Sequence, residues 1–147
     1  MDKQELKHYL LAEEKVLLQE ARQDLEDHLS ENLLDQDNVK DLDDLAQSDV
    51  SSFVQHDLEK RISVHLETIQ ILEEISFQEF DVVKPGAIVK VNGKKIIIAV
   101  AKRPFEYKGE ELEAISSSAP IYKEMQGKRA GDSYSFHGET FRIEDVR

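Results

Sequence analysis

The sequence predicts an α+β chain: an N-terminal antiparallel helical hairpin with coiled-coil character, then a small antiparallel β domain carrying one short helix. Three observations predict it. All 6 glycines and all 3 prolines lie from Pro85 onward, so the first half lacks both of the strongest breakers of regular structure. Apolar residues recur at helical spacing before Phe80 and in short β-type runs after it. Charge divides at nearly the same place: residues 1–80 hold 21 Asp and Glu against 7 Lys and Arg, whereas residues 81–147 hold 10 against 12.

The first helix is expected from Lys3 to about Leu34, with Leu6, Leu10, Leu11, Leu17, Leu18, Ala21, Leu25 and Leu29 as its apolar positions. Leu11, Leu18 and Leu25 are seven apart, with charged residues filling the other faces. A second helix runs from about Leu45 to Ile75 through Phe53, Leu58, Ile62, Leu66, Ile69, Leu72 and Ile75, with Leu58, His65 and Leu72 in one heptad series. Either stripe is too narrow to form a core alone, so the two should pair as a hairpin over residues 1–79. Helices of roughly 30 residues would make it about 45 Å long. Its turn, the tip, falls near 35–46, where Asp and Asn can cap helices and tolerate turn geometry.

From residue 80 to 147 the pattern becomes β-like. Ala87–Val91, Lys95–Ala101, Tyr134–Phe136 and Thr140–Val146 read as strands, with Asn92-Gly93 a strong hairpin turn and His137-Gly138 a weaker one. A short helix fits Ala119–Met125, with Pro120 near its first turn.

Composition excludes several classes of function. A net charge of −12 disfavours binding to DNA, because phosphate binding needs Lys and Arg to displace counterions. It suits a basic protein surface or a metal ion. No cysteine is present, so disulfides and thiolate metal sites are excluded. No apolar run approaches a membrane span and the acidic N-terminus is unlike a signal peptide, so no membrane is expected and a cytoplasmic location is the default.

The tip carries the most pointed chemistry. Glu31, Asp35, Asp37, Asp41, Asp43, Asp44 and Asp49 crowd a short stretch relieved only by Lys40. One explanation is a solvated turn and a helix N-terminus, where Asp is favoured by capping and the macrodipole. The other is that carboxylates at the end of a thin projection enter a channel closed to a globular body. There, hard oxygen ligands suit Mg²⁺.

Asp41 to Ala46 reads D-x-x-[DE]-x-A, and this hexad resembles the tip motif of the Gre-type transcript-cleavage factors and of the DksA-type regulators of bacterial RNA polymerase. The second half extends the resemblance to the Gre family. Val83–Val89 (VKPGAIV), Ile115–Ile121 (ISSSAPI), Gly127–Asp132 (GKRAGD) and Phe141–Val146 are similar to the Gre C-terminal domain in order and spacing, and that domain has an FKBP-like fold.

The resemblance implies a transcription factor that is no enzyme itself. Its β domain would grip the rim of the polymerase secondary channel through Ser118, Ala119, Pro120 and Ile121. Its hairpin would bring Asp41 and Asp44, with Asp43 as an auxiliary, to the polymerase active-site Mg²⁺. No cofactor of its own is implied, since the metal is held in trans in a two-metal site owned by the polymerase. A contact with the RNA 3′ end belongs to the same picture. The family's cleavage factors, however, flank the tip with basic residues that hold RNA, and Gln47–Ser52, Phe53, Gln55 and His56 form no such basic patch, with no Lys or Arg among them. The second tip acid is Asp where Glu is usual, and surplus acids crowd the turn as in inhibitory Gre homologues. The resemblance therefore leaves two outcomes open: stimulated cleavage of backtracked RNA, or inhibition and modulation of transcription.

Two other classes compete. A plain coiled-coil interaction protein would have a tip without catalytic role. An FKBP-like prolyl isomerase would need an aromatic-lined pocket built from Phe105, Tyr107, Tyr122, Tyr134, Phe136 and Phe141. A zinc site is disfavoured: Asp24 and His28 lie four apart without a further ligand motif, and His65 falls at a seam position where a packed side chain is expected.

Overall fold

The computed structural model describes the backbone of residues 1–35 and 42–147, and burial for residues 1–31 and 49–147. Two 33-residue helices open the chain, α1 (Lys3–Asp35) and α2 (Leu42–Glu74). Six strands and one short helix follow: β1 (Ile88–Val91), β2 (Lys94–Ala99), β3 (Lys102–Tyr107), β4 (Glu110–Ser116), α3 (Pro120–Met125), β5 (Ser133–Phe136) and β6 (Glu139–Val146). The chain forms two compact units, Leu11–Gln70 and Met1–Leu10 with Ile71–Arg147. This grouping cuts across a division at residue 79, because the first turns of α1 are bonded to the segment that follows α2.

Asp2 starts α1: its carboxylate accepts from the backbone N–H groups of Gln4 (2.9 Å) and Glu5 (3.2 Å), the arrangement of an N-cap. The same turn closes the end of α2. Lys7 Nζ donates to the carbonyls of Glu73 (2.9 Å) and Ile75 (2.7 Å), Gln4 Nε2 to Phe77 O (3.1 Å), and Lys3 Nζ to Gln78 O and Arg147 O (3.0 Å). Helix ends leave carbonyls unpaired, and cations are favoured there by the macrodipole. α2 has no basic residue in its own last turn. Lysines from α1 supply what it lacks.

Within Leu11–Gln70 the helices are antiparallel. Glu14 Oε1 meets His65 Nδ1 at 2.5 Å, and His28 Nε2 lies 2.9 Å from Ser51 O. Both pairs of residue numbers sum to 79, as antiparallel pairing in constant register requires. Buried or half-buried positions recur at 11, 14, 18, 21, 25 and 28 on α1, and at 51, 55, 58, 62, 65 and 69 on α2. This alternating spacing of three and four is the heptad seam of a coiled coil. The two heptad series expected from sequence both fall on it, and His65 is packed as expected. Four residues expected in the stripes are instead exposed: Leu17, Leu29, Phe53 and Leu66. Phe53 lies two residues from both Ser51 and Gln55, roughly 200° around the helix from the seam.

The sheet order is β3-β4-β2-β1-β6-β5. It is mixed rather than wholly antiparallel, because β2 and β4 pair in parallel, Ile96 opposite Glu113 and Ile98 opposite Ile115. After β2 the chain returns along the outer edge as β3, then inserts β4 between β3 and β2. Both strands of that excursion go beyond the four runs expected from sequence. Their turn, Lys108-Gly109, has φ of 50° and 78°, matching Asn92-Gly93 and His137-Gly138. Positive φ at both central residues is the type I′ geometry that follows strand twist.

β2 explains why its sequence does not alternate. Ile96, Ile97, Ile98 and Ala99 are all buried, so both faces of the sheet are covered there. On one face Val89, Val91, Ile96 and Ile98 form a core with Tyr122 and Met125 of α3 and with Tyr134, Ile143 and Val146. On the other, Tyr9 of α1 stacks on Phe105 (6.2 Å between centroids) and meets Tyr107 at 5.0 Å.

Candidate functional site

The loop from Ser116 to Pro120 is held at both ends by the core. β4 delivers Ser116, and α3 is anchored by buried Tyr122 and Met125. Between them the chain turns tightly: Ala119 N–H donates to Ser116 O at 3.0 Å, and Ser118 N–H donates to Ser116 Oγ at 3.1 Å. The Ser116 and Ser118 hydroxyls are 2.8 Å apart. Ala119 is the N-cap of α3 with an extended backbone, and Pro120 fills the first helical position, where its missing N–H costs nothing. Ser117, Ser118 and Pro120 are exposed, whereas Ala119 and Ile121 are half-buried, Ile121 against the core. A rigid loop therefore presents a hydroxyl and a proline ring outward. Beside it lies an open groove of about 420 Å³, lined by residues including Arg103, Pro104, Ile115 and Ala119.

The other three motifs of the second half bond to one another and build the fold. Val83 N–H donates to Lys128 O (2.8 Å) and Gly127 N–H to Val83 O (3.0 Å), while Arg129 pairs with Asp81 at 2.5 Å. Asp132 accepts from the Arg129 N–H at 2.8 Å, and Gly131 and Asp132 bond with Ile143 of β6. Gly86 is required by space as well as by its φ of 92°: a Cβ there would sit 2.0 Å from the carbonyl oxygen of Ser76.

Of the expected tip acids, Asp41 lies outside the described residues. Asp43 and Asp44 belong to the first turn of α2, and their side chains lie outside the described residues too. The histidines weighed for metal binding are engaged across the hairpin seam, His28 with Ser51 and His65 with Glu14. The aromatics weighed for an isomerase pocket are packed: Tyr122 and Tyr134 are in the core, Phe141 stacks on Tyr134 at 5.3 Å, and Phe105 and Tyr107 lie against Tyr9.

Sequence reasoning missed the lysines at the base of α1. Lys3 is almost fully buried, its Nζ between two carbonyls and 4.8 Å from the Phe80 ring centroid. Burial lowers its pKa to about 8, against a smaller raising influence from Glu79. Burial likewise lowers Lys102, which lies 4.5 Å from the Phe105 ring. No pattern in the sequence signals the Lys3 contacts, since Gln78, Phe80 and Arg147 are remote in the chain.

An α-helical hairpin combined with a six-stranded mixed sheet and one short helix defines the architecture. No protein-family model matches the chain, and no curated protein does. Among solved structures the chain is similar, over nearly its full length, to Gfh1, a GreA factor homolog. Against Gfh1 of Thermus aquaticus it has 17% identity, with 92% of each chain covered and a TM-score of 0.36. Against Gfh1 of Thermus thermophilus it has 20% identity, covering 97% of this chain and 93% of that one at a TM-score of 0.35. A further structure, of "the transcription factor Gfh1", gives 20% identity and a TM-score of 0.35, covering 97% and 92%.

Proposed function

We propose that this chain is a Gre-type transcription factor that binds bacterial RNA polymerase at its secondary channel. Its hairpin carries Asp41 and Asp44 to the polymerase active site. The observation that carries this is the conjunction in one chain of the D-x-x-[DE]-x-A hexad at the junction of two antiparallel helices and the I-S-x-x-[SA]-P-I loop held rigid and exposed. Ser118 and Pro120 make the outward contact with the polymerase rim, and Ala119 and Ile121 fix the loop from within.

The tip donors are all carboxylates, which match the preference of Mg²⁺ for hard oxygen ligands. A Mg²⁺ ion bound there supplies Lewis-acid stabilisation to chemistry owned by the polymerase. The part played by this chain is to add negative charge at that point and to displace whatever else occupies the channel. The seven acids from Glu31 to Asp49, without flanking basic residues to hold RNA, favour inhibition or modulation over efficient cleavage.

Purified protein added to stalled, backtracked elongation complexes tests this directly. Slowed extension with unchanged RNA length is the expected result, and shortened transcripts would assign a cleavage factor instead. Absence of polymerase binding would refute the proposal.

A further inference from the structure

Three exposed apolar residues stand together on α2. Val50, Phe53 and Val54 are spaced i, i+3 and i+4, so they share one helix face, and they are 63%, 76% and 38% exposed. Val54 flanks the heptad seam, four residues before Leu58, whereas Val50 and Phe53 lie outside it. Ser51 and Gln55 face α1, and Phe53 lies on the opposite side. Isolated exposed apolar residues are ordinary, but a phenylalanine three-quarters exposed within a contiguous stripe marks a contact surface.

Its surroundings decide what the stripe can meet. Leu11–Gln70 holds 16 acidic against 5 basic residues, a net of −11. Nucleic acid and an anionic membrane surface are repelled by such a field. A second copy would bring another −11 against the first. A protein surface with basic residues around an apolar cleft is attracted by the charge and filled by the ring.

We infer that the Val50–Phe53–Val54 face is the contact by which the hairpin unit seats on a basic, apolar-clefted protein surface of the polymerase, with Phe53 as the anchor. This rests on the function proposed above and adds to it a second contact, separate from the Ser116–Pro120 loop. Charge draws the hairpin unit in, and Phe53 sets how long it stays. Aromatic anchors at the centre of an interface carry a disproportionate share of affinity.

The test compares polymerase binding of the full-length wild type, Phe53→Ser and Phe53→Leu at two salt concentrations, with sedimentation of each protein alone. Phe53→Ser should weaken binding by about ten-fold or more, mainly through faster dissociation, while Phe53→Leu retains most of the affinity. Both variants should keep the wild-type salt dependence. Equal binding by wild type and Phe53→Ser would overturn the inference and leave the proposed function standing. No binding by wild type would overturn both. Concentration-dependent dimers of wild type that Phe53→Ser abolishes would overturn it in favour of self-association.

Discussion

The two units of this protein differ more in charge than in size. Leu11–Gln70 carries −11, whereas Met1–Leu10 with Ile71–Arg147 carries 15 acidic against 14 basic residues, a net of −1. Their interiors differ in the same sense. The sheet unit buries an apolar core on both faces of β2 and uses cations to pair carbonyls. The hairpin unit interrupts its seam with polar layers, Glu14 with His65 and His28 with Ser51, and leaves Phe53 and Val50 to solvent. The first is organised to hold a shape. The second is organised to present charge and one apolar stripe, at some expense of its own stability.

That contrast can be broken most severely at Gly86. Replacing it with Ala puts a Cβ onto the Ser76 carbonyl at a positive φ. Loss of about 3 kcal/mol or more is expected in urea unfolding of the sheet unit. The Gly93→Ala control, where nothing lies within 4 Å, should cost only the turn strain, about 1 kcal/mol.

A second test uses pH. Lys3 has a folded pKa of about 8, below its usual 10.5. Between those values the unfolded chain binds more protons than the folded one, so this group makes stability rise with pH. The full effect of such a shift is about 3 kcal/mol. Buried Tyr122 and Tyr134 have raised pKa values, which favour the neutral form and oppose this trend only as pH passes 10. Urea unfolding at pH 7.5 and 9.5 should show a larger rise for wild type than for Lys3→Met, in which the lowered Lys102 still contributes.

A smaller effect is expected in the hairpin. Replacing Glu14 and His65 together by Leu converts a polar seam layer into an apolar one and should stabilise the helices by about 1–2 kcal/mol, read from thermal melts. Either single replacement should destabilise them, since the remaining partner is half-buried and left unpaired.

How much of this was legible in the sequence follows the range of the interactions. The heptads of Leu11, Leu18 and Leu25 and of Leu58, His65 and Leu72 specify the seam because helix periodicity is local. The same criterion also enrolled Phe53 and Leu66, since an apolar residue on an outer face looks like one in the stripe until the register is known. β3 escaped because Lys102-Arg103-Pro104 breaks the strand pattern, and its ladder with β4 shifts register between Lys102 and Phe105. Phe105, Tyr107, Leu112 and Ala114, alternating on either side of Lys108-Gly109, were the available signal. The bonds of Lys3 to Gln78 and Arg147 span 75 and 144 residues, beyond any local pattern. In the candidate site the Ser116–Ile121 motif was readable. That Gly127–Asp132 serves the fold emerged only from its bonds to Val83 and Ile143.

The central claim is that docking and action are separate: contacts outside the tip hold the polymerase, and the tip acids act on it. Measuring polymerase binding and transcript extension side by side for wild type and the Asp41→Ala, Asp44→Ala double variant tests it most directly. Unchanged binding with loss of the effect on transcription is the predicted result. A double variant that binds and still alters transcription as wild type does would contradict the account.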